Sequence, residues 1–245
     1  MADPGSAWPE WTQWHVTWLA LVVALAGAAV LALVARRRDR RQLAAWSGTL
    51  VLVLVLLASD VQRTAMVSYR SHMIEHLVVL LVVAPLIAAG SRARLSRSAG
   101  TLGLVAFTVL VPLYHLTRLG TWVMEHSGGH DVELLSFVVV GTWFWLPIYG
   151  ANRSLTDLQR LVVTFVALPV IATTGLVLWS SDSASLGAVG MDMASMTIGD
   201  LRSGGVVMIE WGSVMMLAHL IGLALATWRR RRGSIEPVGL RYARL

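Results

Sequence analysis

Long apolar runs broken by short polar ones leave this chain few ways to fold. Seven of them, at about residues 16–35, 43–59, 73–90, 100–119, 134–150, 158–180 and 206–228, approach membrane-spanning length. A helix crosses a bilayer with roughly 20 mostly apolar residues. In hydrocarbon every backbone N–H and C=O must be paired within the chain, so such runs become helices. Composition agrees: 56% of the 245 residues are hydrophobic and 14% are charged, against about 25% charged in an ordinary soluble domain. The expected fold class is all-α, a polytopic bundle of seven transmembrane helices. The expected organisation is an extracytoplasmic segment over 1–15, the seven-span domain over 16–228 and a basic cytoplasmic tail over 229–245.

Arginine sets the expected orientation. All 20 basic residues are Arg. Sixteen of them fall on one side of the expected spans: Arg36, Arg37, Arg38, Arg40, Arg41, Arg92, Arg94, Arg97, Arg153, Arg160, Arg229 to Arg232, Arg241 and Arg244. By the positive-inside rule that side is cytoplasmic, so the N-terminus lies outside and the C-terminus inside, in a plasma membrane. The first run has no basic stretch before it and RRRDRR after it, which reads as a retained span and not a cleaved signal peptide. The net charge of +6 thus marks topology and not a nucleic-acid partner. With no Cys, thiolate metal sites and thiol catalysis are excluded.

Six of the seven histidines then gather at the expected outer face. His72 and His76, in SHMIEHL, are four residues apart at the start of the third run, so their imidazoles share one helical face. Two such imidazoles can bind one transition metal, and Glu75 between them is placed to orient a ligand. A polar interfacial helix end is the plainer reading of the pair. His115 falls at the same depth in the fourth run, which allows three imidazoles in one layer. His126 and His130 flank SGG in a loop, where two glycines weaken any helical register. MDMASM supplies Met191, Met193 and Met196, thioethers suited to Cu(I). Asp200 and Glu210 flank the entrance to the last run, and the expected partner of Glu210 is Arg118 or Arg202. His219 lies too deep to join the outer set and reads as a hydrogen-bonding partner for a neighbouring helix. No phosphate-binding glycine loop or hydrolytic triad is present, and few charges lie at mid-span.

The stretch SHMIEHLVVLLVVAPLIAAG resembles a segment of the CtaG family of bacterial cytochrome c oxidase assembly factors. The shared features are His72, Met73, His76, Ala84, Pro85 and Leu86. The next-span histidine of that family falls on His115 and its loop histidine on His130. ELLSFVVVGTWFWLPI, with Phe144, Trp145 and Pro147, is similar to the following span. GDLRSGGVVM, with Asp200, Gly205 and Met208, is similar to the last-span entrance. Thr117, Leu134 and Ile209 stand where the family tends to carry Pro, His and Trp.

The resemblance implies a non-enzymatic membrane chaperone that handles Cu(I) at the outer face for a haem–copper oxidase, with oxidase subunits and the lipid bilayer as partners. The expected metal ligands are His72, His76, His115 and His130, joined by Met191, Met193 and Met196 for uptake or handover. Glu75 and Asp200 are expected to stand behind them and orient them. Two other functions fit the residues: a b-type cytochrome with axial histidines on the third and fourth spans, and a metal-free scaffold for an oxidase.

Overall fold

A computed structural model describes residues 39–58, 68–126, 128–151, 154–182 and 197–233, with single positions at 27, 30, 33, 64 and 65. Seven helices occupy these residues: α1 (Arg40–Ala58), α2 (Tyr69–Gly90), α3 (Arg97–Leu116), α4 (Arg118–Glu125), α5 (Gly129–Tyr149), α6 (Asp157–Ser180) and α7, which runs Ile198–Val207, Met208–Gly212 and Ser213–Gly233. No strand occurs among the described residues. Five of the helices, α2, α3, α5, α6 and α7, are long and apolar enough to cross a membrane. They correspond to the third to seventh expected spans. The second expected span is α1, and the first lies almost wholly outside the described residues, as do the whole 1–15 segment and the tail beyond residue 233.

Helix α2 is the centre of the bundle. Its sequence after Glu75 is apolar all round, the pattern of a helix surrounded by others. It packs against α1, α5 and α7, and 67% of its spanning window is buried, against 39% or less in the other four. Those four keep one apolar face outward, such as Leu102, Val105 and Val109 on α3 and Val214, Leu217 and Ile221 on α7. Phe107 of α3 stacks on Phe144 of α5, while Phe137 and Trp145 of α5 meet α2 at His76 and the Leu80 carbonyl; all four are at most 1% exposed.

Arginine-rich segments converge at one end of the bundle. Arg92 pairs with Asp39 at 3.3 Å, Arg41 donates to the Tyr149 carbonyl, and Arg230 pairs with Asp157 at 2.8 Å. At the opposite end Asp200 joins α7 to α2. Its Oδ2 accepts the Tyr69 backbone N–H at 2.6 Å and its Oδ1 accepts the Ser68 hydroxyl at 3.3 Å. Ser68 is itself the N-cap of α2, so a carboxylate meets the unpaired amides and positive dipole end of that helix. Close contact follows below: a Cβ at Gly204 of α7 would sit 2.5 Å from the Tyr69 ring.

A π-helical turn at Val79–Val83 interrupts α2. The Ala84 N–H reaches back to the Val79 carbonyl, and Pro85 has no N–H to give. The Leu80 and Leu81 carbonyls therefore lose their usual partners. Trp145 donates its indole N–H to the Leu80 carbonyl, and His219 donates Nε2–H to the Leu81 carbonyl, both at 2.8 Å. The Tyr149 hydroxyl lies 2.8 Å from His219 Nδ1. His219 is thus a clasp between α7, α5 and α2, the role its depth suggested.

Candidate metal centre

Three histidines and a glutamate meet at the end of the bundle opposite the arginines. His72 and His76 come from α2, His130 and Glu133 from α5. One ligand atom from each lies within 4.8 Å of the other three. The i,i+4 spacing brings the His72 and His76 rings to a centroid distance of 4.0 Å, and His130 stands 5.0 Å from His72. All four residues are buried, none more than 7% exposed.

The start of α5 explains how His130 arrives. Gly128 takes a left-handed conformation, φ 79°, which only glycine adopts without cost. A Cβ at Gly129 would run into the Val123 carbonyl. The two glycines therefore close a tight turn and let α5 begin at Gly129, five residues before the expected start of the span. His130 and Glu133 become i,i+3 neighbours on one helical face. Glu133 is the residue that the sequence reading missed as a ligand. The pattern HDVE at the mouth of an apolar run was the signal, hidden by reading His130 as a loop residue.

Glu133 Oε2 sits at the middle of the group. It lies 3.5 Å from His72 Nε2, 3.6 Å from His76 Nε2 and 3.6 Å from His130 Nδ1. These separations are too long for hydrogen bonds. They approach the donor–donor edge, about 3.3–3.4 Å, of a tetrahedron built on metal–ligand distances of about 2.0–2.1 Å. His72 Nδ1, His76 Nε2, His130 Nδ1 and Glu133 Oε2 are buried with no hydrogen-bond partner among the described residues. An unpaired buried polar group costs about 1–3 kcal/mol, more if charged. Three of them, on His76, His130 and Glu133, converge on one point to which His72 presents its Nε2, and this fits a bound cation.

Hydrogen bonds behind the group hold its lone pairs inward. His115 Nδ1–H donates to the Val111 carbonyl at 2.6 Å, so His115 Nε2 accepts from His76 Nδ1–H at 3.2 Å. That fixes the tautomer of His76 with the Nε2 lone pair facing Glu133. His130 Nε2–H donates to Glu75 Oε2 at 2.9 Å, which leaves His130 Nδ1 facing the same point. A carboxylate behind a ligating imidazole orients it and raises its basicity. Phe137 packs 4.6 Å from the His76 ring, and Tyr69 lies 5.8 Å from the His72 ring.

The expected residues thus fall in different places. His72, His76 and His130 converge. His115 stands behind His76, not beside it. Glu75 backs His130, while Asp200 acts at the N-terminus of α2 and touches no imidazole. His126 is exposed, with Nδ1 2.6 Å from the Trp122 carbonyl. Met191, Met193 and Met196 lie outside the described residues.

The family model described as cytochrome c oxidase caa3 assembly factor matches residues 25–101 and 98–231. No curated protein and no solved structure matches the chain.

Proposed function

This chain belongs to the cytochrome c oxidase caa3 assembly factor family, and from that premise we propose that it carries one copper ion as cargo between His72, His76, His130 and Glu133 and yields it to the copper site of a haem–copper oxidase. The observation that carries the reading is the convergence of three buried ligand atoms without partners, on His76, His130 and Glu133, with His72 Nε2 beside them. Three imidazoles and a carboxylate suit copper. With Glu75 and Glu133 ionised the group has a formal charge of −2, which a divalent ion cancels. The cargo site therefore accommodates Cu(II) as well as Cu(I). The protein makes and breaks no covalent bond; it is a chaperone, not an enzyme.

The orientation belongs to the same proposal. Seven spans run with the N-terminus outside and the C-terminus in the cytoplasm, and the copper group lies toward the extracytoplasmic face of a plasma membrane. Its support is the gathering of Arg41, Arg92 and Arg230 at the end of the bundle opposite the imidazoles. His115 and Glu75 fix the ligand rings, and Tyr69 and Phe137 bound the site.

The alternatives account for less. A b-type haem needs two histidines facing each other across it, whereas His76 and His115 lie within direct hydrogen-bond distance of one another at 3.2 Å. A metal-free scaffold leaves the four unpartnered atoms unexplained.

The test is the double variant His72→Ala/His76→Ala. Copper bound by the purified chain and copper in the assembled oxidase should fall together, with the variant still present in the membrane at wild-type level. A fully copper-loaded oxidase in that strain overturns the proposal.

A further inference from the structure

Helix α7 carries a carboxylate where a membrane would place hydrocarbon. Glu210 is exposed in the π-helical turn Met208–Gly212, beside Trp211 at 57% exposure and Val214 at 65%. Asp200 and Arg229 mark the polar ends of the helix. At 1.5 Å per residue they stand about 44 Å apart, close to the thickness of a whole bilayer, with a hydrocarbon core of about 30 Å. Glu210 is about 15 Å from the Asp200 end. It therefore sits about 8 Å inside the hydrocarbon, beyond the reach of a short side chain back to the headgroups.

One of its two expected partners within the chain, Arg202, is engaged elsewhere. Arg202 donates to the Ser181 carbonyl through Nε at 3.2 Å and Nη2 at 3.1 Å. No hydrogen bond or ion pair reaches the Glu210 carboxylate among the described residues. Charged side chains inside a membrane face a bundle interior or a partner, and this one faces outward. The first apolar run is a poor candidate for cover: its Gly27 lies against Leu50 of α1, and α1 packs on the Ala84–Gly90 end of α2.

We propose that the outward face of α7 around Glu210, Trp211 and Val214 docks a transmembrane helix of the oxidase under assembly, one that presents a cationic or hydrogen-donating side chain at this depth. The depth matters. Gly204 lies beside Tyr69 and Met73, and Gly212 beside Leu77, so Glu210 is level with His76. Met208, on the inward side of the same turn, lines the small cavity beneath His76 and His115. The docking contact thus sits one helix away from the imidazole group, at its own level. The inference rests on family membership and membrane placement, and it holds whether or not copper is the cargo.

The experiment is co-purification of the tagged full-length chain with co-expressed oxidase membrane subunits. Glu210→Leu should lower the recovered oxidase by roughly tenfold or more, and Glu210→Gln, which keeps size and hydrogen bonding, by less. The copper bound by each variant should stay at the wild-type level, which also verifies folding. Trp211→p-benzoylphenylalanine should photo-crosslink to an oxidase subunit. Wild-type recovery with Glu210→Leu overturns the inference, as do crosslinks to a second copy or to the chain itself. Absence of copper from the wild-type chain, with oxidase recovery still lost in Glu210→Leu, counts against the copper proposal alone.

Discussion

Two histidine sites within this bundle, one buried and one half-buried, differ in saturation. His219 has both ring nitrogens bonded, Nε2 to the Leu81 carbonyl and Nδ1 to the Tyr149 hydroxyl. His76 and His130 face a glutamate with nitrogens that no described residue bonds, and His72 Nε2 stands 3.5 Å from the same carboxylate oxygen. The first arrangement repairs the Leu81 carbonyl, orphaned by Pro85 and a π-turn. The second leaves a repair undone. Burial alone therefore does not mark a functional histidine; unspent lone pairs pointing at a common centre do.

Substitutions can break this contrast, and the largest effect belongs to Glu133. Glu133→Ala removes the only anion among the four ligands, and metal affinity measured by competition with a chelator should fall by about 100-fold or more. His219→Phe in the same assay should leave affinity within about twofold, because that ring is spent on structure. If His219→Phe also empties the site, the two regions are not separate.

Residues behind the ligands should give the next largest change. Glu75→Gln frees His130 to rotate, and His115→Phe removes the acceptor that fixes the His76 tautomer. Each should weaken metal binding by about 10–100-fold without abolishing it. Acidification should release the ion, since imidazole binds metal only when neutral; a chelator titration across pH checks this, and pH-independent retention would point to thioether ligands.

The clasp should answer to stability instead. His219→Phe strands the Leu81 carbonyl and the Tyr149 hydroxyl, and unfolding in detergent should show a loss of about 1–3 kcal/mol. Tyr149→Phe removes one bond and should cost about 0.5–1.5 kcal/mol. Asp200→Ala should cost about 1 kcal/mol, as loss of a helix cap does, with copper affinity changed least of all.

How much of this was legible depended on distance along the chain. Helical class and the positions of five spans followed from apolar length. The shared face of His72 and His76 followed from a spacing of four within one helix. His130 was visible as a residue but not as a neighbour of Glu133, because the two glycines before it read as helix breakers when they in fact close the turn that starts α5. His115 was placed at the right depth, yet depth says nothing of which side of His76 it occupies; its bonds to the Val111 carbonyl and to His76 Nδ1 decide that. The π-turn was hidden for a similar reason. Pro85 has no N–H to give, and the acceptors it frees are met by Trp145 and His219, 60 and more residues away. Long-range pairing, not local propensity, set every part of the site that the sequence left open.

The most direct test of the central claim is an X-ray absorption spectrum of the purified, copper-loaded protein. The account predicts about one copper per chain, surrounded by nitrogen and oxygen at about 2.0 Å with imidazole scattering, and loss of that signal in Glu133→Ala. A sulfur-dominated shell that persists in His72→Ala/His76→Ala would contradict it and move the cargo site away from α2 and α5.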